Sequence, residues 1–239
     1  MKGQSMNVVQ HLEELRKAIL ITVGIFSVFF LLAFIYVQDI YRILVKDLPF
    51  KLALLGPSDI LMVYLMIASV VALAATIPVA AHQMWRYISP GLTAKERKVT
   101  LAYIPALFIL FIVGISFGYF ILFPLVLNFL MSLSDGMFTT FFTTEKYFRF
   151  LLNMTLPFGF LFELPIVIMF LTSLGIINPF VLQKIRKYAY FVLTVTSVLI
   201  TPPDFIADIL VIIPLLLLYE GSITLSKIVF MRKQKIAVH

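Results

Sequence analysis

Thr201-Pro202-Pro203-Asp204 separates two apolar runs, Tyr188 to Ile200 and Phe205 to Tyr219, and the reading of that interruption decides the fold. At ~1.5 Å per residue, runs of 13 and 15 residues reach about 20 and 23 Å, against a hydrocarbon core of about 30 Å. Neither crosses a bilayer of ordinary thickness. The pair is therefore a locally thin wall or a hairpin lodged inside a bundle, with two prolines and a carboxylate at the bend. Pro203 denies helical geometry to Pro202, so a turn at 201 to 204 is predicted instead of one kinked helix over 188 to 219.

Working outward, the chain is 62% hydrophobic with 24 Phe and a mean hydropathy of +1.05, far above the apolar content of soluble domains. An integral all-α membrane protein is predicted. Apolar runs at 18–37, 60–81, 101–123, about 148–174, 188–200 and 205–219 give six spans in a single membrane domain, 1–239, with the fifth and sixth short. The first run has the length of a spanning helix and no small-residue cleavage site, so it reads as a retained span. Cysteine is absent, which removes disulfides, thiolate metal sites and cysteine nucleophiles. Pro78, Pro157 and Pro165 fall inside predicted spans and bend them, and Ser58 is the expected cap of the second.

The 19 Lys and Arg fix an orientation. With the N-terminus in the cytoplasm, Lys2, Arg16, Lys17, Arg86, Lys95, Arg97, Lys98, Lys184, Arg186, Lys187, Lys227, Arg232, Lys233 and Lys235 lie inside. Only Arg42, Lys46, Lys51, Lys146 and Arg149 lie outside. The positive-inside rule thus places both termini in the cytoplasm of a multi-pass cell-membrane protein. It also accounts for the net charge of +7 without a nucleic-acid partner. Five spans would export the basic tail.

Catalysis is hard to assemble from these residues. His11, His82 and His239 sit in separate segments, and the chain has neither a phosphate-cradling glycine loop nor a nucleophile elbow. A non-enzyme with no cofactor and no metal is expected. The carboxylates are more informative. Glu14, in His11-Leu12-Glu13-Glu14-Leu15-Arg16, and Glu96, in the first inner loop, are acids on a basic surface, fit either to grip an incoming guanidinium or to pair with Arg16, Lys95 or Arg97. Glu163, in Phe162-Glu163-Leu164-Pro165, lies at mid-span, where a charge costs at least ~2.5 to 3.5 kcal/mol. It must face protein or a wet cavity, or be a neutral carboxyl bonded to a carbonyl freed by a proline. Asp204 and Asp208 flank the last bend as a polar site or as turn and cap residues. Trp85, Tyr87 and Tyr103 read as an interfacial belt, and Glu220 as the partner of a basic neighbour.

Five motifs together resemble one family, the TatC subunit of the twin-arginine protein translocase. They are His11 to Arg16, Pro90-Gly91-Leu92 with Glu96-Arg97, Phe162 to Pro165, Thr201 to Asp204, and Ile213-Pro214-Leu215 with Leu218-Tyr219-Glu220. The resemblance runs from about His11 to Lys227. It implies a glove-like, concave bundle that receives twin-arginine signal peptides of folded cargo. Glu14, Leu15, Arg16, Tyr87, Pro90, Glu96 and Arg97 take the signal-binding positions, and Glu163 lies on the hollow face. It further implies single-span partners of the TatA and TatB type docking at Thr201, Pro202, Pro203, Asp204 and Asp208, other TatC copies as neighbours, and transport driven by the proton-motive force. Asp208 stands where the family commonly has glutamine, and Tyr87 where phenylalanine is usual. A secondary transporter or proton-coupled channel using Glu163 and Asp208 is the competing reading.

Overall fold

The structure, a computed structural model, describes residues 8–46, 48, 50–89, 92, 97, 100–133, 141–201 and 205–237. The described residues are almost entirely helical, and the chain divides into two units, 1–46 with 67–108, and 47–66 with 109–239. Lacking water, a hydrocarbon core leaves backbone polar groups only each other as partners, which is why the apolar runs become helices. Five helical stretches, 12–35, 57–88, 103–132, 144–173 and 207–231, are long and apolar enough to span. They coincide with the first four predicted spans and the sixth.

In the first unit, α1 (Val8–Ile35) carries a ladder of Phe26, Phe30 and Phe34 at helical spacing, with ring centroids 6.1 and 6.3 Å apart. Its apolar residues are largely exposed within the chain, as suits contact with lipid. The stretch after it, read from sequence as loop, holds a short helix, α2 (Val37–Val45). Val37, Ile40, Tyr41 and Leu44 recur at helical period opposite Asp39 and Arg42, which pair at 3.4 Å.

α3 (Pro57–Ile88) starts with proline at its first position, where the missing N–H costs nothing. The group that serves this start is Asp59, and not the expected Ser58. Its Oδ2 accepts from the backbone N–H of Leu55 at 3.0 Å and of Gly56 at 3.2 Å. Pro78 lies inside the helix as expected.

Residues 57–66 of α3 and the chain from 109 onward belong to the second unit. α4 (Tyr103–Phe117) passes through a π-helical turn, Gly118–Leu122, into α5 (Phe123–Leu133). The Phe123 N–H bonds back five residues to the Gly118 carbonyl. Pro124 follows, whose ring clashes with the carbonyl four residues back in a regular α-helix, so the widened turn relieves that clash.

α6 (Thr144–Leu161) and α7 (Leu164–Ser173) make up the predicted fourth span, broken at Phe162–Glu163. Pro165 sits in the first turn of α7 and cannot donate to the previous turn, so the helix restarts there, whereas Pro157 is accommodated inside α6. Gly175, at φ 79°, closes α7 in the left-handed conformation that glycine adopts without strain. Thr143 caps α6, and its segment pairs with Ala53: Thr144 N–H to Ala53 O is 2.8 Å and Ala53 N–H to Phe142 O is 2.9 Å.

α8 (Pro179–Lys184) is capped by Asn178 and leads into α9 (Arg186–Ile200). At 15 residues α9 covers the predicted fifth span, 188–200, but is shorter than the five stretches long enough to cross a membrane. It ends because Pro202 forces Thr201 to extended geometry, φ −84° and ψ 153°. α10 (Phe205–Ala237) departs from expectation. Its apolar run is short, but the helix continues unbroken through 33 residues, so only α9 is short as a helix. The core of this unit gathers Phe158, Ile168, Leu193, Val211, Leu215 and Ile223. Between α7 and α10 a buried Thr172–Ser226 hydroxyl bond of 2.7 Å joins two helices whose meeting face includes fully buried Ser222.

α4 and α6 meet backbone to backbone. A Cβ at Gly114 would lie 2.4 Å from the Phe158 carbonyl oxygen, and one at Gly118 would lie 2.7 Å from Thr155 Cα. Gly114 and Gly118 form the small-xxx-small spacing that lets helices in lipid approach this closely. Gly114→Leu is expected to lower the unfolding free energy in detergent by at least ~1 to 3 kcal/mol, the cost of overpacking. Gly24→Leu, at a position with open space around it, should leave the denaturation midpoint unchanged.

Candidate functional site

One cleft of about 360 Å³ lies within the first unit, between the N-terminal part of α1 and the C-terminal part of α3. α1 contributes Glu14, Lys17, Ala18 and Ile21, spaced as one helical face. From α3 come Gln83, Arg86 and Tyr87, followed by Ser89 and then Arg97. Of the residues assigned to signal binding from sequence, Glu14, Tyr87 and Arg97 are brought together here. Leu15 and Arg16 follow Glu14 on α1 but do not line the cleft. Pro90 and Glu96 lie outside the described residues.

Glu14 is exposed and makes no ion pair among the described residues. The alternative pairing of Glu14 with Arg16 is therefore not formed. Lys17 beside it on α1 and Arg86 and Arg97 from the other wall line the same cleft, so one acid stands among three cations. Lys17 and Arg86 were counted only as topology markers in the sequence. Lys17, three residues after Glu14 on the same helical face, carried an available signal; Arg86, next to Tyr87 in sequence, carried none of that kind.

Trp85 has a more specific part than an interfacial belt. Its indole Nε1–H donates to Thr100 Oγ1 at 2.9 Å, and Thr100 is 2% exposed. The Arg97 guanidinium lies 5.5 Å from the Trp85 ring centre, and His82 stacks on the same ring at 5.7 Å. Thr100 in turn donates to the Arg97 carbonyl at 3.2 Å. The indole thus ties the end of α3 to the segment that carries Arg97, and holds that cation by its ring face.

At the last bend, within the second unit, Thr201 is 6% exposed and turned inward. Its hydroxyl bonds the Ser197 carbonyl at 2.9 Å and the Asp208 carboxylate, while Ser197 Oγ donates to the Asp208 carbonyl at 3.2 Å. Three groups from α9 and α10 therefore close the hairpin on itself. Pro202, Pro203 and Asp204 lie outside the described residues. Glu163 sits at the break between α6 and α7, and its Oε1 is buried without a hydrogen-bond partner, so the expected bond to a freed carbonyl is not made by that oxygen. Glu220 does pair with a basic neighbour: Arg186 Nη2 is 2.6 Å from Oε2, and Tyr190 donates to Oε1 at 2.6 Å.

Among the described residues, five helices long and apolar enough to cross a bilayer define a multi-pass membrane protein. The family model of the Sec-independent protein translocase protein (TatC) matches residues 10–214, and the chain belongs to that family. TatCd of Bacillus subtilis strain 168 is 58% identical over 235 residues, covering 98% of this chain and 97% of that protein. TatCy of the same organism is 44% identical over 239 residues, covering 98% and 94%. A crystal structure of the twin-arginine translocase receptor TatC superposes with a TM-score of 0.80 at 34% identity, over 92% of this chain and 99% of that one. The chain is accordingly a component of the Sec-independent protein translocase, and its helical fold matches that of the solved receptor.

The Thr201 hydroxyl bridge makes a direct prediction. Thr201→Val removes the donor and leaves the Asp208 carboxylate short of a partner in a semi-buried setting. It should destabilise the purified protein by about 1 to 3 kcal/mol, seen as a lower thermal midpoint, whereas Thr201→Ser should stay close to the parent.

Proposed function

We propose that the chain is the receptor core of twin-arginine export, binding the paired-arginine signal peptides of folded cargo at the cleft of α1 and α3. The observation that carries this reading is the convergence of Glu14, Tyr87 and Arg97, from distant parts of the sequence, on one cleft, with Glu14 in no ion pair among the described residues. A guanidinium presents a planar fork that a carboxylate accepts through two parallel hydrogen bonds, and an ammonium cannot match that geometry. Two tandem arginines need two acids. Glu14 supplies one, and Glu96, the residue before cleft-lining Arg97, is assigned as the other. Lys17, Arg86 and Arg97 repel cationic segments that lack the paired fork.

The distribution of basic residues supports a chain with both termini in the cytoplasm, which puts this cleft on the side where precursors are made. Signal binding at the cleft recruits single-span partners of the TatA and TatB type and neighbouring copies of the chain. The proton-motive force then drives the cargo across. The short α9 and the bend at Thr201 to Asp208 serve as the docking surface, and Glu163 as the polar contact within the membrane.

The test is capture of a twin-arginine signal peptide by the purified chain. Glu14→Gln and Glu96→Gln should each weaken binding by at least about tenfold, the effect of losing a hydrogen bond between charged groups. Glu96→Lys should abolish co-purification while leaving membrane insertion intact. A peptide recoded to two lysines should bind as poorly as the Gln variants see the native one; equal capture of both peptides refutes the assignment.

A further inference from the structure

Lys146 and Arg149 are basic residues on the side of the membrane that the charge distribution otherwise keeps poor in cations, and the signal-binding reading gives them no work. They lie in the first turns of α6, within the second unit, where two hollows meet. On one side is an apolar pocket of about 380 Å³, walled by Leu127, Leu130, Met131, Phe141 and Phe142. On the other is a cleft of about 290 Å³ that holds Arg149 and Asn153 from α6 against Leu199 and Thr201 at the end of α9. Lys146 and Phe150 line both, forming the ridge between them.

The arrangement follows from helix geometry. Residues 146, 149, 150 and 153 fall at i, i+3, i+4 and i+7 on one stripe of α6. At ~1.5 Å per residue the stripe descends about 10 Å from Lys146 to Asn153. α9 ends early, so its terminus packs beside this stripe, and a polar cleft opens where a full-length neighbour would have continued as apolar wall. Arg149 is engaged with Glu145 at 2.5 Å. Lys146 is exposed and makes no ion pair among the described residues. A cation with no ion-pair partner among the described residues thus stands at the mouth of an apolar pocket, with Asn153 as a further polar group in the adjoining cleft.

We infer that the Thr144 end of α6 binds one anionic phospholipid, its phosphate on Lys146 and the start of an acyl chain in the pocket of Leu127, Leu130, Met131, Phe141 and Phe142. Charge complementarity selects a phosphate-bearing ligand, and the apolar hollow sharing its rim selects one with a hydrocarbon tail in place of free phosphate. Under the proposed orientation this lipid belongs to the outer leaflet. Seated there, its headgroup is drawn down beside the short α9.

The experiment is native mass spectrometry of the full chain released from nanodiscs of equimolar phosphatidylglycerol and phosphatidylcholine. The parent should retain phosphatidylglycerol in preference. Lys146→Ala should reduce that retention about fivefold, the effect of one basic residue at an anionic lipid surface. Lys51→Ala, an exposed lysine lining neither hollow, should match the parent. Lys146→Arg should keep the lipid, which separates loss of charge from loss of fold. Excess inorganic phosphate should not displace it. Unchanged retention in Lys146→Ala, an equal fall in Lys51→Ala, displacement by phosphate alone, or indifference between the two lipids overturns the proposal.

Discussion

In a hydrocarbon setting a polar group that finds no partner within the protein has no water to turn to, and every polar residue on these helices answers to that constraint. The hydroxyls turn back along their own helices: Thr22 bonds the Ala18 carbonyl, Thr76 that of Ala72, Thr155 that of Leu151, and Ser222 that of Leu218. Thr172 does the same to Ile168 and also reaches Ser226 on another helix, so one side chain satisfies its own helix and joins two. Thr201 repeats the device at the bend, spanning Ser197 and Asp208. The Arg186–Glu220–Tyr190 cluster extends it to charges. Against this background Glu163 stands out, because one of its buried carboxyl oxygens lacks a partner. Such a group is expensive in lipid and is retained where it has work to do.

Apolar burial gives little net attraction between helices already surrounded by apolar tails, so contact distance takes over as the source of cohesion. Gly114 and Gly118 on one side and Gly159 on the other bring main chains together, and Phe111 packs over the last of these. The π-turn that begins at Gly118 keeps this contact while absorbing Pro124 downstream. The aromatic residues then fill what remains: Phe117 packs on Phe158 and Phe162, with centroids 5.7 and 5.4 Å away, directly beside the break that holds Glu163.

The cleft of α1 and α3 works by contrast of charge. Glu14 lies among cations without an ion-pair partner among the described residues, and one of those cations is engaged elsewhere: Arg97 lies over Trp85, and Trp85 is fixed by Thr100. On the proposed function, this surface repels most basic peptides and favours one that brings a planar, bidentate donor.

Much of this was legible in the linear chain because hydrophobic period and proline chemistry are local properties. The short fifth helix, its termination before Pro202 and the break ahead of Pro165 follow from backbone constraints that act within a few residues. Motif order along the chain was enough to identify the family. The hairpin's internal closure through Thr201 and Asp208, the role of Trp85, and the assembly of Glu14 with Tyr87, Lys17 and Arg86 were not legible in that way. Each depends on side chains far apart in sequence, whose meeting is set by how helices rotate and cross. The continuation of α10 past its apolar run was missed for the converse reason: charged residues such as Lys227 and Arg232 mark where a membrane ends, but they are good helix formers and do not stop a helix. The sequence by itself determined which long apolar stretches become helices and where proline ends or breaks them, because those limits are written in the backbone. Only the tertiary structure decided which acids and cations share a cleft, because electrostatic partnership is a property of distance in space.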